Sequence, residues 1–284
     1  SGAVTPLNNT EQDALSTAEI DQGLRLACQT AVLGDVRVDI PASSLVRGQR
    51  LQIEGRQVEV VLQPAVEIVE IACPPPSLQD LRADIARVND VLAAQGQPAL
   101  QADAGQLDDL SALLRRGGWQ ARLACFSGGR LAAALPAGSA VLGAAMDLGT
   151  TKLAIYLLDL NTGGTLAAVG VMNPQIAYGE DVISRISYAN RGREQRRQLQ
   201  TMLVAAVNQA VQSECARLGL DTAQIVEYVA VGNTAIHHLF CGLEVEQLGR
   251  APYVALADHA LDFRAAELGL VGSPGARVYL PPNI

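Results

Sequence analysis

The stretch that decides the fold is VLGAAMDLGTTKLAIYLLDLNTGGTLAAVGV, residues 141–171. An apolar run at 141–146 leads into Asp147-Leu148-Gly149-Thr150-Thr151. A second run follows at 153–160, then a turn at Asn161-Thr162-Gly163-Gly164, then a third run at 165–171. Short apolar runs bounded by turn formers read as strands. Three such runs joined by short turns predict an antiparallel meander.

Helices come next. One is predicted over 180–189. The other, over about 194–218, carries Leu199, Leu203, Val207, Val211 and Leu218 on one stripe, with Gly219 just past its end. Residues 225–231 read as a buried strand, and Gly232-Asn233-Thr234 turns it into a helix over 235–240. Strands, crossover helices and a further strand and helix predict a mixed α/β layer domain over 140–284.

Asp147–Thr151 sits at the tip between two predicted strands. A phosphate there needs close backbone approach, which Gly149 permits because it lacks Cβ. Successive N–H groups in such a turn make an anion-binding concavity. The hydroxyls of Thr150 and Thr151 add donors. Asp147 would repel a bare phosphate, so it suits a Mg²⁺ ion that bridges phosphates. The plainer reading is a hairpin rich in turn formers, with Asp147 satisfying backbone donors. Lys152, the only lysine, reaches a phosphate as a point charge or is simply an outward strand position.

The loop at 173–181 runs into a helix that begins with two carboxylates, Glu180 and Asp181. Either one positions water or a metal across from Asp147, or both complement the helix dipole. Gly232-Asn233-Thr234 lies at the carboxyl end of a strand, where open α/β sheets bind ligands. The plain alternative is an N-cap. His237 and His238 are adjacent, about 100° apart on a helix, and make a poor metal pair. One is expected buried and one exposed.

Upstream, 64–139 reads as a small α+β domain without visible chemistry. Ser77 is read as an N-cap with Asp80 at the capping-box position. Leu78, Leu81, Ile85, Val88 and Leu92 then recur at helical spacing up to Gly96. A second helix over about 107–116 buries Leu110, Leu113 and Leu114. Strands at 119–126 and 131–135 flank Gly128-Gly129. Residues 45–63 alternate and read as a linking ribbon that turns at Glu54-Gly55. The first 44 residues hold a predicted helix over 9–20, with Thr10 as N-cap and Asp13 in its box. A period-2 strand over 36–40 ends at Pro41.

The chain has 284 residues and a formal net charge of −8. That charge argues against non-specific nucleic-acid binding and against an anionic membrane surface. The hydrophobic share of 49% excludes wholesale disorder. No apolar stretch approaches the ~20 residues of a spanning helix, and the first residues carry no signal-peptide pattern. Five cysteines, far apart and without C-x-x-C, do not make a secreted disulfide framework. A reducing cytoplasm is the expected compartment.

Asp147–Thr151 resembles the first phosphate motif of the acetate and sugar kinase/Hsp70/actin superfamily. The order of meander, Asn173-Pro174-Gln175 loop, helices and strand before Gly232-Asn233-Thr234 is similar to the N-terminal half of that fold. The wording is narrower. "NPQIAYGEDVISRI" (173–186), "VGNTAIHHLF" (231–240) and "LPPNI" (280–284) look like the reductive activators of corrinoid proteins. Residues 5–41 are similar to the final part of that family's plant-type ferredoxin domain, and Cys28 matches the last of its four [2Fe-2S] cysteines. The middle unit corresponds to the family's linker and middle domain by position more than by motif.

The resemblance implies an α/β multidomain protein. It places the tail of a plant-type ferredoxin domain at 1–44, a linker ribbon at 45–63 and a middle α+β domain at 64–139. The N-terminal half of an actin-like (ribonuclease H-like) ATPase domain follows at 140–284. It implies ATP-dependent reactivation of a corrinoid protein, Co(II) to Co(I), by electron transfer from a [2Fe-2S] cluster. Asp147 would hold Mg²⁺, Gly149, Thr150 and Thr151 phosphate, and Glu180 or Asp181 water or metal. Gly232, Asn233 and Thr234 would line the ATP cleft, and Cys28 would ligate the cluster. The partners implied are a corrinoid protein of a methyl-transfer system and an external electron donor, with a homodimer compatible.

Two departures stand out. Plant-type ligation needs C-x₄-C-x₂-C before the distant fourth cysteine, and no Cys precedes Cys28. The fold also needs a second half, and the sequence stops at Ile284. The chain is therefore expected to be an internal piece of a longer protein, inactive alone. A small-molecule kinase of the same superfamily explains Asp147–Thr151 equally well but leaves the front of the chain unexplained. A non-catalytic scaffold whose nucleotide site gates a partner is the third reading.

Overall fold

The computed structural model describes residues 3–27, 29–38 and 64–283. It divides into two compact units, Ser1–Arg50 and Leu51–Ile284.

In the first unit, Asn8 caps α1 (Asn9–Ala14) with Glu11 completing the box, and Ser16 caps α2 (Thr17–Asp21) with Glu19. The single helix expected over 9–20 is thus two. Leu15 is extended, and the second capping box restarts the helix instead of continuing the first. The cap is Asn8, not Thr10.

Glu11 is the polar centre of this unit. Its fully buried carboxylate accepts from Arg25 Nε (3.0 Å) and Nη2 (2.8 Å), the Leu26 N–H (3.1 Å) and Thr30 Oγ1 (3.0 Å). The Arg25 guanidinium, first among these, holds its pKa down at about 2. Residues 36–38 form no strand. The rest of that predicted strand, the 45–63 ribbon and Cys28 lie outside the described residues.

The second unit begins with β1 (Val66–Ala72), α3 (Asp84–Ala94), α4 (Ala104–Arg116), β2 (Gln120–Phe126) and β3 (Arg130–Leu135). The strands form an antiparallel sheet in the order β1-β2-β3. Strand β1 was not expected, because Glu67 and Glu70 sit three apart and spoil the alternation. Ser77 caps no helix. It bridges to Asp80, whose carboxylate is taken by Arg82 (2.9 Å) and Arg87 (2.7 Å). Those pairs hold the segment as a loop, so Leu78 and Leu81 stay 89% and 81% exposed. Val88, Leu92, Leu110 and Leu114 do bury, against Leu123 and Leu131.

The remaining chain builds β4 (Leu142–Leu148), β5 (Lys152–Asp159), β6 (Thr165–Met172), α5 (Val182–Ala189) and α6 (Arg193–Leu218). After these come β7 (Ile225–Gly232), α7 (Thr234–Phe240), β8 (Leu261–Arg264), α8 (Ala265–Leu268) and β9 (Arg277–Leu280). The sheet order is β6-β5-β4-β7-β9-β8. The meander β4-β5-β6 is antiparallel as expected, while β7 joins β4 in parallel and β9 joins β7 in parallel. The long helix α6 buries Leu199, Leu203, Val207 and Val211 and ends where Gly219 turns left-handed (φ 69°). Together with α7 it covers one sheet face, over Met146, Leu148, Ile155, Tyr228 and Val278. The three-stranded sheet is joined to this domain by Ser273 Oγ, which donates to Ala132 O (2.8 Å), and by Arg277 stacked on Phe126. Among the described residues no helix is long and apolar enough to cross a membrane.

The contrast between Leu203 and Leu78 is testable. Leu203→Ala is expected to lower stability by about 2–5 kcal/mol in urea denaturation. Leu78→Ala, despite its helix-like spacing, should stay within about 0.5 kcal/mol. Equal losses would show that Leu78 is packed after all.

Candidate functional site

Strands β4 and β7 run parallel, with Asp147 beside Val231 and Leu148 beside Gly232. Their carboxyl ends therefore release two loops side by side. One is the turn Gly149-Thr150-Thr151; the other is Asn233-Thr234. The approach is close. A Cβ on Gly232 would lie 2.8 Å from Leu148 O, and one on Gly149 would lie 2.3 Å from Lys152 O. Both contacts are shorter than real Cβ atoms tolerate, so these glycines are required by the backbone itself. For Gly149 the reason is closure of the β4–β5 hairpin, in line with the plainer reading of this stretch as a turn-rich hairpin.

Two amide side chains tie the loops together. Asn233 Oδ1 accepts the Ile236 N–H (3.0 Å) and so caps α7, while its Nδ2 donates to Thr150 Oγ1 (2.9 Å). Thr150 accepts there, which leaves its own O–H available to donate. Asn173, only 1% exposed, holds the other side of the turn. Its Nδ2 donates to Gly149 O (2.9 Å) and its backbone N–H donates to Thr151 O (2.9 Å). Asn173 was read from sequence only as part of a polar loop. The Asn-Pro pair was the available signal, because Asn before Pro favours a local turn. Here Asn173 Oδ1 accepts from the Gln175 N–H at 3.0 Å.

Asp147 alternates with the buried Met146 and Leu148, so it points to the sheet face opposite α6 and α7. It is exposed, and among the described residues it has no hydrogen-bond or ion-pair partner. Thr151 is exposed, and Lys152 is half-buried opposite Met172.

Glu180 and Asp181 are not joined to this group by any hydrogen bond or ion pair among the described residues. Asp181 instead caps α5, accepting from the Ser184 N–H (2.7 Å) and Oγ (3.0 Å). Those bonds hold its pKa below the usual carboxylate range. Glu180 is exposed and uncommitted. Behind the same loop lies Arg185, which sequence reading passed over inside an apolar run. It is fully buried; Nε donates to Gly179 O (2.9 Å), and Nη1 and Nη2 find no partner. Burial pushes its pKa down, and the Asp181 charge opposes that shift.

The histidines differ from expectation, since both are buried. His238 Nδ1 donates to Thr234 O (2.7 Å), and its Nε2 accepts the Ala257 N–H (3.3 Å). His237 has no partner on either ring nitrogen. Helix α7 is covered on both flanks, which adjacency in sequence does not reveal. Burial, with His238 adding to it, pushes the His237 pKa down to about 4.

No group of three or more His, Cys, Asp or Glu among the described residues is placed to hold a metal. Cys73, Cys125, Cys215 and Cys241 are buried free thiols, and burial pushes Cys125 and Cys241 up to about 12. A cavity of about 560 Å³ between α4, β3 and the turn at 219–224, lined in part by Asp109, Arg116 and Asp221, contains none of the candidate residues.

Residues 142–284 match the family description "RACo middle region", and residues 55–138 match "RACo linker region". A relative named corrinoid activation enzyme RamQ, from Eubacterium limosum, is 32% identical over 142 residues. That match covers 50% of this chain and 24% of the relative. A solved structure described as a reductive activator for corrinoid, iron-sulfur protein aligns with a TM-score of 0.68 at 28% identity. It covers 95% of this chain and 46% of that one. The chain thus spans less than half the length of either relative.

His237 sets a pH dependence. Its folded pKa lies below the ~6.5 of an unfolded histidine, so the unfolded state binds the extra proton between about 6.5 and 4. Stability is therefore expected to fall as pH drops through that window, by at most about 1.4 kcal/mol per pH unit from this group. Urea denaturation across that range should show a shallower slope for His237→Leu. Identical slopes would mean that His237 is not buried in the neutral form.

Proposed function

The chain belongs to the RACo family, and from that premise we propose that it is part of an ATP-dependent reductive activator of a corrinoid protein. The activity is the return of an inactive Co(II) corrinoid to Co(I) in a methyl-transfer system. Residues 140–284 are read as the first half of an actin-like ATPase domain. Residues 64–139 are read as a middle domain, 45–63 as its linker and 1–44 as the tail of a ferredoxin domain.

One observation carries the nucleotide reading. An unpartnered Asp147, the threonines of the following turn and an Asn233 tied to Thr150 lie at the carboxyl ends of adjacent parallel strands. That donor set fits magnesium and phosphate. Hydroxyls and backbone N–H groups donate to phosphate oxygens, and a carboxylate suits a hard cation. Asp147 would hold Mg²⁺, and Gly149, Thr150 and Thr151 would cradle phosphate. Gly232, Asn233 and Thr234 would line the cleft. Of the two acids before α5, Glu180 is uncommitted, while Asp181 caps the helix with one bond to each oxygen and is exposed, so either would orient water or metal. Bound Mg²⁺ would neutralise phosphate charge.

The cysteines do not fit a complete cluster. Cys28 is the one ligand this chain would supply to a [2Fe-2S] group. The other four are spread through the second unit as buried thiols.

Reduction of Co(II) is energetically uphill. Each ~59 mV of deficit is about tenfold in the equilibrium constant for one electron. Nucleotide binding assists only if the protein's states differ in affinity for the corrinoid partner. An external electron donor and the cytoplasm complete the reading, with neither nucleic acid nor membrane as partner; a homodimer is compatible with it.

The test is ATP-dependent Co(II) to Co(I) conversion by the full-length protein, followed optically. Asp147→Ala is expected to lower the rate by roughly 100-fold or more, as for removal of a main electrostatic stabiliser. Undiminished activity in that variant would overturn the nucleotide assignment.

A further inference from the structure

We propose that Asn173 is the positioning residue that presents the Gly149-Thr150-Thr151 turn to phosphate; this rests on the nucleotide reading above. The orientation of its amide is fixed by its two partners. Oδ1 meets the Gln175 N–H at 3.0 Å and Nδ2 meets the Gly149 carbonyl at 2.9 Å. The flipped amide would set oxygen against oxygen and NH₂ against N–H, so one orientation is allowed. Asn173 is also 1% exposed, so its amide is held by these two protein partners.

The consequence follows from peptide planarity. In a trans peptide, C=O and the following N–H point in opposite directions. Asn173 turns the Gly149 carbonyl toward the buried side of the turn. The Thr150 N–H is thereby aimed the other way, to the outer side where an anion is met. Without the Nδ2 donor, the Gly149–Thr150 peptide is freed to rotate and bring its carbonyl oxygen outward. A carbonyl oxygen repels phosphate where an N–H binds it.

The turn is gripped from both flanks. Asn173 follows β6 and takes the backbone at Gly149 and Thr151. Asn233 follows β7 and takes the Thr150 side chain. What remains uncommitted is a set of donors, which is the preorganisation an anion site needs. Gln175 provides the control. It is equally buried and two residues away, but its Nε2 donates to Leu199 O (3.0 Å) on α6 and it does not touch the turn.

The experiment is calorimetric titration of magnesium-ATP into the full-length protein, well below each variant's melting temperature. Asn173→Ala is expected to weaken binding about tenfold, close to 1.4 kcal/mol. Gln175→Ala should lower Tm and leave affinity unchanged. Asn173→Asp supplies a readout within one folded protein. Its carboxyl donates to the Gly149 carbonyl only when protonated, so its affinity relative to wild type should recover as pH falls from 8 to about 5. Wild-type affinity in Asn173→Ala, or equal losses in Asn173→Ala and Gln175→Ala, would overturn the proposal. So would a pH-independent Asn173→Asp defect. A wild-type protein that binds no nucleotide overturns the nucleotide reading itself, and this inference with it.

Discussion

The parallel contact between β4 and β7 is the constraint on which the rest of the second unit depends. Leu148 lies against Gly232 in register, and the 2.8 Å distance from a notional Cβ to Leu148 O means that only glycine permits it. A parallel pair needs a crossover, and here it includes α5 and α6. That crossover lays the apolar stripe of α6 onto one sheet face. The same register brings two loop-forming ends together on the other side of Leu148. The fold's core and its candidate site are thus consequences of one pairing.

Polar groups in this molecule divide sharply into committed and uncommitted ones. Asn173 and Asn233 each use both ends of the amide, and Asp181 spends its carboxylate on a helix cap. Asp147, Thr151 and Glu180 are left in water. A binding site needs the second kind held still by the first. The buried Arg185 and His237 stand apart from this scheme. Each carries buried nitrogens without partners, which costs more in a low-dielectric interior than in water.

Much of the second unit was legible because its signals are local. The meander at 141–171, the α6 stripe and Gly219 as its stop all depend on neighbours within a few residues. The first unit and the α3 region were less so. A helix over 9–20 looked continuous because the capping box at Ser16 and Glu19 competes with a helix already under way. The leucines at 78 and 81 had helical spacing, yet ion pairs from Asp80 to Arg82 and Arg87 claim that segment. Spacing records periodicity and says nothing of which carboxylate an arginine will find. The family wording at 173–186 and 231–240 pointed to the right family, which the matches over 55–138 and 142–284 establish.

By itself the sequence determined four strands of the larger sheet, β4 to β7, and the helices α5 to α7; β8, α8 and β9 carry no periodic signal and were not read from it. It also singled out Asp147–Thr151 and Gly232–Thr234 as the turns proposed to meet nucleotide. Glycine, threonine and aspartate at strand ends bring their own conformational preferences and hydrogen-bonding groups, whatever the distant sequence. Only the tertiary structure decided that these two turns are adjacent and that Asn173 and Asn233 clamp one of them between them. The structure also showed that both histidines are buried and that Asp181 is a cap. Those outcomes rest on contacts between residues up to 83 positions apart, and a contact of that kind exists only once the parallel strands have paired.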